Sequence, residues 1–280
     1  MGPREVLMFY VLEKIQPGEV RGDTEFGEEL PWNQREPAVC SACGRHDRKM
    51  IWLPPFHVEL ECWDSEFGDL ALAAGEDMLV SERFKRLYEH WGLTGLGGFE
   101  PVKVVRIKRH KRFKADPPPY FHVRVGRTRA AIDQKRSCFV WAEPDKVCPV
   151  CRAGGGIRRW KRIVIEEDTW AGEDIFIPRG LSVFVTSGRF KALCEHENVS
   201  NAVLVPAEEY WDDLEPWHND EKGRELLVSP LGPTLLQKTK PNGEVWRYDT
   251  KDGYMVIAGP DGELREVFRP IDGMGFWQHQ

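Results

Sequence analysis

Two short cysteine motifs constrain the fold of this chain more than any other feature of its sequence. They are Cys40-Ser-Ala-Cys43, which Gly44 follows, and Cys148-Pro-Val-Cys151, which begins 108 residues later (148 − 40). A CxxC loop points two thiolates toward one position, which is half of a tetrahedral four-cysteine zinc site. Two such halves match one complete site, although such pairs usually lie much closer in sequence. The long segment between them therefore needs an explanation.

An internal repeat supplies that explanation. Residues of the first half recur in the second half at a nearly constant distance, which is 105 positions for Asp69 and Asp174 (174 − 69) and 106 for Phe84 and Phe190 (190 − 84). The repeated block also contains a strand, a helix with a serine or threonine before it, and a strand that ends at proline. This agreement predicts the duplication of a unit of roughly a hundred residues, with one cysteine knuckle in each copy.

We therefore expect an α+β fold made of two homologous mixed α/β copies that a structural zinc site joins. The first copy covers residues 1–101, and residues 102–206 contain basic strands and the second copy. The clearest helix spans residues 79–91, because apolar side chains recur there at helical spacing and Ser81 is placed as its N-cap.

The metal ion has two possible arrangements. Either the two knuckles share one ion, or each copy binds its own ion with further ligands from the remaining candidates, which are His46, Cys62, Cys138 and Cys194. No matched cysteine or histidine pair accompanies each knuckle, so we prefer one shared site. Its ligands would be Cys40, Cys43, Cys148 and Cys151. Four thiolates leave no coordination position open for water, which makes a structural zinc the expected role.

No other motif indicates catalysis. The eight histidines are scattered and form no HExxH sequence, and the run Gly154-Gly-Gly156 lacks the GK[ST] of a phosphate-binding loop. A thioredoxin-like redox role needs a CxxC at the start of a helix. The residues after both motifs are typical of a knuckle turn instead. We therefore expect a protein without enzymatic activity.

The composition is that of a globular protein in a reducing compartment. Seven cysteines are an odd number, and two CxxC pairs favour metal binding over disulfides. The sequence has no run of about 18 apolar residues, and its first residues lack a secretory apolar region. We expect a cytoplasmic protein that does not enter a membrane.

The charge is unevenly distributed along the chain. Residues 102–136 contain twelve Lys and Arg but only two Asp, a sum of +10 (12 − 2) in a chain of net charge −6. One hypothesis is that this basic stretch binds nucleic acid. The other is that it is a solvated strand edge, which Lys and Arg protect from aggregation. Because the whole chain is acidic, nucleic acid is the less favoured partner.

Residues 207–280 are expected to form an acidic, β-rich extension. The turn dipeptides Asn242-Gly243, Asp252-Gly253 and Asp261-Gly262 recur at short intervals and predict a β-meander. The start of the extension combines acidic residues with tryptophans, and tryptophans surrounded by charge often anchor protein interfaces. The first candidate for a partner-binding surface is therefore the group of Trp211, Asp212, Asp213 and Trp217.

The ordered set of motifs resembles the double-CXXCG motif family of myxobacterial proteins, over about residues 8–206. The shared features are a Phe-Tyr strand near the start, Trp32 and Pro37 before the first knuckle, a second CxxC, an Asp-Ile-Phe strand at Asp174 and a Val-x-Ser-x-Arg-Phe helix. One departure is Arg152, where the family has glycine after the second cysteine pair.

The resemblance implies a toxin immunity protein, which protects a cell from a toxin delivered by its kin. Such a protein would be a non-enzymatic inhibitor that binds a cognate toxin protein in the cytoplasm. The resemblance also implies that Cys40, Cys43, Cys148 and Cys151 are metal ligands, and it carries over no catalytic residue.

Overall fold

The computed structural model describes residues 8–14, 18, 20–28, 33–46, 50–73, 76–213, 220–270 and 274–278. Trp32 and Trp217 lie outside the described residues. The chain divides into two compact units. Unit 1 comprises Met1–Gly156 and Trp160–Trp211, and unit 2 comprises Ile157–Arg159 and Asp212–Gln280. In the described part of the chain, every helix is too short or too polar to cross a lipid bilayer.

The fold is mixed α/β and rich in strands. In chain order its strands and α-helices are β1 (Phe9–Glu13), β2 (Thr24–Glu28), β3 (Asn33–Arg35), β4 (Ile51–Leu53), β5 (Phe56–Cys62), β6 (Leu70–Leu72), β7 (Asp77–Ser81), α1 (Glu82–His90), β8 (Leu96–Arg109), β9 (Tyr120–Val125), β10 (Arg127–Ala131), β11 (Val140–Trp141), β12 (Ile157–Trp160), β13 (Ile175–Arg179), β14 (Phe184–Ser187), α2 (Gly188–His196), β15 (Val203–Pro206), β16 (Asp212–Asp213), α3 (Asp220–Val228), β17 (Leu235–Thr239), β18 (Val245–Asp249), β19 (Met255–Ala258), β20 (Leu264–Phe268) and α4 (Met274–Gln278).

Unit 1 contains a closed barrel of six strands in the order β2-β5-β8-β9-β7-β6. Strand β5 alternates between buried and half-buried residues, as expected for a strand with one face toward a core. Strand β7 is apolar on both faces. Its Leu79 lies in the barrel interior with Leu60 and Phe56, whereas Met78 and Val80 pack with the helices. A strand buried on both sides reads as a continuous apolar run rather than an alternating one.

The second sheet of unit 1 has five strands in the order β10-β13-β14-β1-β15. Strand β1 is the first element of the chain, yet it lies between β14 and β15 and pairs antiparallel with both. The pair β10–β13 is parallel, and the pair β13–β14 is antiparallel. In the barrel, strands β8 and β9 form an antiparallel pair.

Helices α1 and α2 begin in the same way. Ser81 Oγ accepts a hydrogen bond from the Phe84 N–H at 3.0 Å, and Ser187 Oγ accepts one from the Phe190 N–H at 3.3 Å. The predicted N-cap at Ser81 is therefore confirmed, although the two residues before it belong to β7 rather than to the helix. The rings of Phe84 and Phe190 lie 6.0 Å apart and are fully buried, so both helices contribute to one core.

A buried aspartate lies before each of these helices. Asp69 accepts hydrogen bonds from Ser81 Oγ at 2.9 Å and from the Ser200 N–H at 3.1 Å. Asp174 accepts them from Ser187 Oγ at 2.7 Å and from the Thr94 N–H at 3.0 Å. Each aspartate is thus bonded to the start of one helix and to the segment that follows the other.

Two arginines complete this reciprocal arrangement. Arg83 in α1 forms an ion pair with Asp69 and donates to the carbonyl of Glu197, the C-cap of α2. Arg189 in α2 forms an ion pair with Asp174 and donates at 3.1 Å to the carbonyl of Trp91, the C-cap of α1. A cation at a helix C-terminus stabilises the exposed carbonyls and the helix dipole. Each helix therefore receives this support from the other.

Unit 2 contains a four-stranded antiparallel sheet in the order β17-β18-β19-β20. This is the β-meander that the turn dipeptides predict, and the glycine of each dipeptide has the positive φ that a tight turn requires. Helix α3 packs against the sheet, with Leu226 contributing to a core that includes Tyr254 and Val256. The extension is therefore not purely β, because it also contains α3 and α4.

Candidate metal centre

The four predicted cysteine ligands lie together in unit 1. All four Sγ atoms are within 4.8 Å of one another. Cys40 and Cys148 are 3.8 Å apart between their Sγ atoms, and Cys43 and Cys151 are 3.7 Å apart. A tetrahedral zinc site with Zn–S bonds of about 2.3 Å has sulfur–sulfur edges of about 3.8 Å. A disulfide would need about 2.05 Å, and all seven cysteines are free thiols. The arrangement fits one tetrahedral ion.

The two knuckles are the same backbone turn. In the first, the Gly44 N–H donates to the Cys40 carbonyl at 2.8 Å, and the Cys40 N–H donates to the Arg45 carbonyl at 2.7 Å. In the second, the Arg152 N–H donates to the Cys148 carbonyl at 2.8 Å, and the Cys148 N–H donates to Ala153 at 2.9 Å. Two distant segments of sequence have thus folded into matching halves of one site.

Arg152 explains how the second knuckle tolerates a residue other than glycine. Gly44 has a φ of +69°, and Arg152, at the matching position, has a φ of +60°. The left-handed conformation costs a residue with a Cβ about 1–2 kcal/mol. The Arg152 side chain offsets this cost, since it donates two hydrogen bonds to Glu166, at 2.8 and 2.7 Å, and one to the Ile132 carbonyl at 2.6 Å.

A second arginine links the two knuckles. The Arg45 Nη1 atom lies 3.4 Å from the Ala153 carbonyl and 3.5 Å from the Lys146 carbonyl, which it can reach as a donor. Its guanidinium also lies against Gly154, where any Cβ would be only 2.3 Å from Nη1. The glycine run after the second knuckle therefore makes room for an arginine of the first. No pattern in the sequence indicates this contact.

Backbone N–H groups make two of the thiols unusually acidic. Those of Ala42 and Cys43 lower the pKa of Cys40. Those of Cys151 and Val150 lower the pKa of Cys148 to about 6. Burial has the opposite effect on Cys151 and raises its pKa to about 12. A divalent cation would stabilise all four thiolates together, and a tetrahedral set of four sulfurs is typical of zinc or of iron.

The alternative ligands are not part of this group. Among the described residues, the cluster of potential metal ligands contains the four knuckle cysteines and none of His46, Cys62, Cys138 and Cys194. Cys62 and Cys194 are buried outside that cluster, and burial raises the pKa of both thiols, that of Cys194 to about 12. Their position away from the four knuckle sulfurs makes them part of the apolar core.

The basic stretch at 102–136 is partly neutralised by the strand beside it. Strand β8 runs parallel to β5, and Arg106 forms an ion pair with Glu59. Lys108 Nζ lies 2.6 Å from a Glu61 carboxylate oxygen, and the Lys111–Asp64 pair spans 3.0 Å. The alternating acidic residues of β5 were the sequence signal for this pairing.

The predicted partner-binding group is described only in part. Trp211 is 66% exposed, which is unusual for so large an apolar side chain. Asp212 is half-buried. Asp213 belongs to β16, but its side chain lies outside the described residues, as does the whole of Trp217. The structure therefore supports an exposed tryptophan at this point and leaves the rest of the group a prediction.

Comparison with known proteins identifies no relative: no family model matches the chain, and no curated protein matches it either.

Proposed function

We propose that the four cysteines bind one structural zinc ion that is shared between the two knuckles. The observation that carries this proposal is the set of sulfur–sulfur distances, 3.8 Å for Cys40–Cys148 and 3.7 Å for Cys43–Cys151. Four thiolates complete the coordination sphere, so the ion has no free position at which to activate water or a substrate. Its contribution is to the stability of the fold, because it joins two segments that are distant in sequence.

The two knuckles belong, in this proposal, to two homologous copies of one mixed α/β unit. The matching contacts of Asp69 and Asp174 support it. Both aspartates accept from the serine that caps the helix after them, both pair with the arginine two residues further on, and both bind the segment beyond the other helix. Their spacing of 105 residues is close to that of the knuckles.

The function proposed for this scaffold is to bind and neutralise a toxin protein in the cytoplasm, without enzymatic activity. That the partner is a toxin is inferred from the resemblance to the double-CXXCG motif family. The closed metal site and the exposed Trp211 support a binding role. A site of four free thiolates suits a reducing compartment. The surface around Trp211 is the first candidate for the contact, because tryptophan is enriched at the centres of interfaces.

The alternative proposal is nucleic-acid binding through residues 102–136. The ion pairs of Arg106 and Lys108 with strand β5, and of Lys111 with Asp64 just beyond that strand, disfavour it, because a cation that is already paired gains less from a phosphate. Salt-sensitive binding of the purified protein to nucleic acid, lost when Arg106, Lys108, Arg109 and Lys111 are reversed in charge, would instead favour this alternative.

The toxin proposal is tested with the product of the adjacent gene. Expression of that product alone is expected to stop growth of a host cell, and co-expression of this chain to restore it, with both proteins recovered together. Trp211→Ala should weaken the complex, whereas Val228→Ala, at another exposed apolar side chain, should not. A harmless product, or a toxic one that this chain neither binds nor relieves, would contradict the proposal.

Elemental analysis of the purified protein tests the metal proposal. We expect about one zinc per chain, lost in Cys148→Ser. Two zinc ions per chain would exclude the shared site, iron would exclude zinc as the bound metal, and the absence of any metal after purification without chelators would reject the centre.

A further inference from the structure

We propose that the two copies exchange their first strands, so that each copy completes the sheet of the other. We define the first lobe as β2, β6, β7, β8 and β9 with α1, and the second lobe as β10, β13, β14, β15 and β1 with α2. The proposal rests on the two-copy arrangement above and goes beyond it. It identifies the surface on which one copy binds the other within this chain. Each copy is therefore the binding partner of the other.

The strand order of the two lobes carries the inference. Within the barrel the first lobe runs β2-β6-β7-β9-β8, and the second lobe runs β10-β13-β14-β1-β15. The strand directions agree at every step, since the first pair is parallel in both lobes and the next three are antiparallel. In this alignment β9 occupies in the first lobe the position that β1 occupies in the second.

The register of the exchanged strands agrees to the residue. Ser81, the N-cap of α1, lies opposite Tyr120 at the start of β9. Ser187, the N-cap of α2, lies opposite Phe9 at the start of β1. An aromatic side chain therefore begins each exchanged strand beside a capping serine. Because a slip of one residue would turn every side chain to the other face, this agreement is specific.

The position of the exchanged strands in the sequence shows which copy owns each of them. Strand β1 precedes the first knuckle, and β9 precedes the second knuckle, with an offset of 111 residues (120 − 9) that resembles the knuckle offset of 108. Strand β9 therefore begins the second copy. The copies then meet in the connector at Asp116-Pro-Pro-Pro119, rather than at residue 101.

The exchange makes the two lobes depend on each other. Val11 at the centre of β1 is 1% exposed and is paired with Val185 on one side and Val205 on the other. Val123 in β9 is completely buried in the core shared with the helices. Removing either strand would open a gap between two strands of the other copy. The first lobe is therefore incomplete until β9, the first strand of the second copy, has been synthesised.

Hydrogen exchange of the full-length protein, followed by mass spectrometry, tests the inference with one variant in each exchanged strand. Val11→Thr places a hydroxyl at a buried position between β14 and β15 and is expected to raise exchange about tenfold or more in those two strands, with a smaller change in β2, β5 and α1. Val123→Thr is expected to give the converse, with the larger change in β7, β8 and α1. The readout depends neither on metal content nor on toxin binding.

Two results would overturn the proposal. One is an effect of Val11→Thr that is confined to the elements nearest in sequence, β2 to β5. The other is an equal rise throughout unit 1 for both variants. If the variants do not fold, partial opening of the unmodified protein in low denaturant gives the same information. The amide hydrogens of β1 should then exchange at the same denaturant concentration as those of β14 and β15. If they exchange together with those of β2 and β5 instead, the proposal that the copies swap their first strands is rejected.

Discussion

Replacement of Asp174 by alanine tests the reciprocal contacts between the helices. Asp174 is 1% exposed, and its carboxylate accepts from Ser187 Oγ, Arg189 and Thr94. In Asp174→Ala, the buried Ser187 hydroxyl loses a partner, which costs about 1–3 kcal/mol. Arg189 is 59% exposed, so the loss of its ion pair adds at most about 1 kcal/mol. Thr94 is exposed and its N–H can bind water.

These contributions sum to a loss of about 1–4 kcal/mol in the free energy of unfolding of unit 1. The assay is hydrogen exchange of the amides in α1 and α2, where such a loss corresponds to a rise in exchange rate of about 5- to 1,000-fold. Asp69→Ala should have an effect of similar size, because its hydrogen-bond partners correspond one by one. Asp168→Ala, at an exposed position in a short 3₁₀-helix, is the matched control.

The result that would refute this reasoning is a rise of less than about threefold in either variant, since it would mean under 1 kcal/mol. An effect of Asp174→Ala that reaches α2 but not the C-terminus of α1 would also contradict it. The Thr94 contact lies just beyond α1, and Arg189 donates to Trp91.

Three further predictions concern the helices, the knuckles and the charged strands. Gly188→Glu should raise the free energy of unfolding of unit 1 by about 1 kcal/mol, which thermal unfolding measures. The reason is that α1 has Glu82 at the same position and that a Cβ at Gly188 meets no atom closer than 4.0 Å. Gly44→Ala should lower stability by about 1 kcal/mol and speed zinc release to a chelator, since its φ of +69° favours glycine; Gly27→Ala, at a glycine without positive φ, is the control. Hydrogen bonds from the N–H groups of Gly22 and Ser65, and then from Lys111, hold the pKa of Asp64 down at about 2. The contribution of ionised Asp64 to the free energy of unfolding is therefore complete above about pH 4 and is lost as the pH falls toward 2. In Asp64→Asn, the free energy of unfolding, measured by denaturant titration at each pH, should change less over that range.

The sequence contained enough to predict the four candidate metal ligands and to favour one shared site, whereas only the structure shows that the four sulfur atoms meet. The CxxC spacing identifies Cys40, Cys43, Cys148 and Cys151 as two half-sites because chelation by neighbouring thiolates needs only local geometry. Whether the halves share one ion depends on whether the chain returns to the same place 108 positions later. The supporting residues Arg45 and Arg152 could not be predicted for the same reason, because their acceptors are carbonyl groups of distant loops.

Local elements were predictable from local signals. The Ser81 cap, the helical spacing after it and the turn dipeptides of the C-terminal meander all act over a few residues, and the structure contains each of them. By itself, the sequence determined these elements and the pairs of thiolates. Only the tertiary structure decided which strands become neighbours: β1 lies between β14 and β15, although both are more than 170 positions away in the sequence (184 − 13 = 171). Strand pairing depends on which apolar faces can be buried together, and that is a property of the assembled core rather than of any segment.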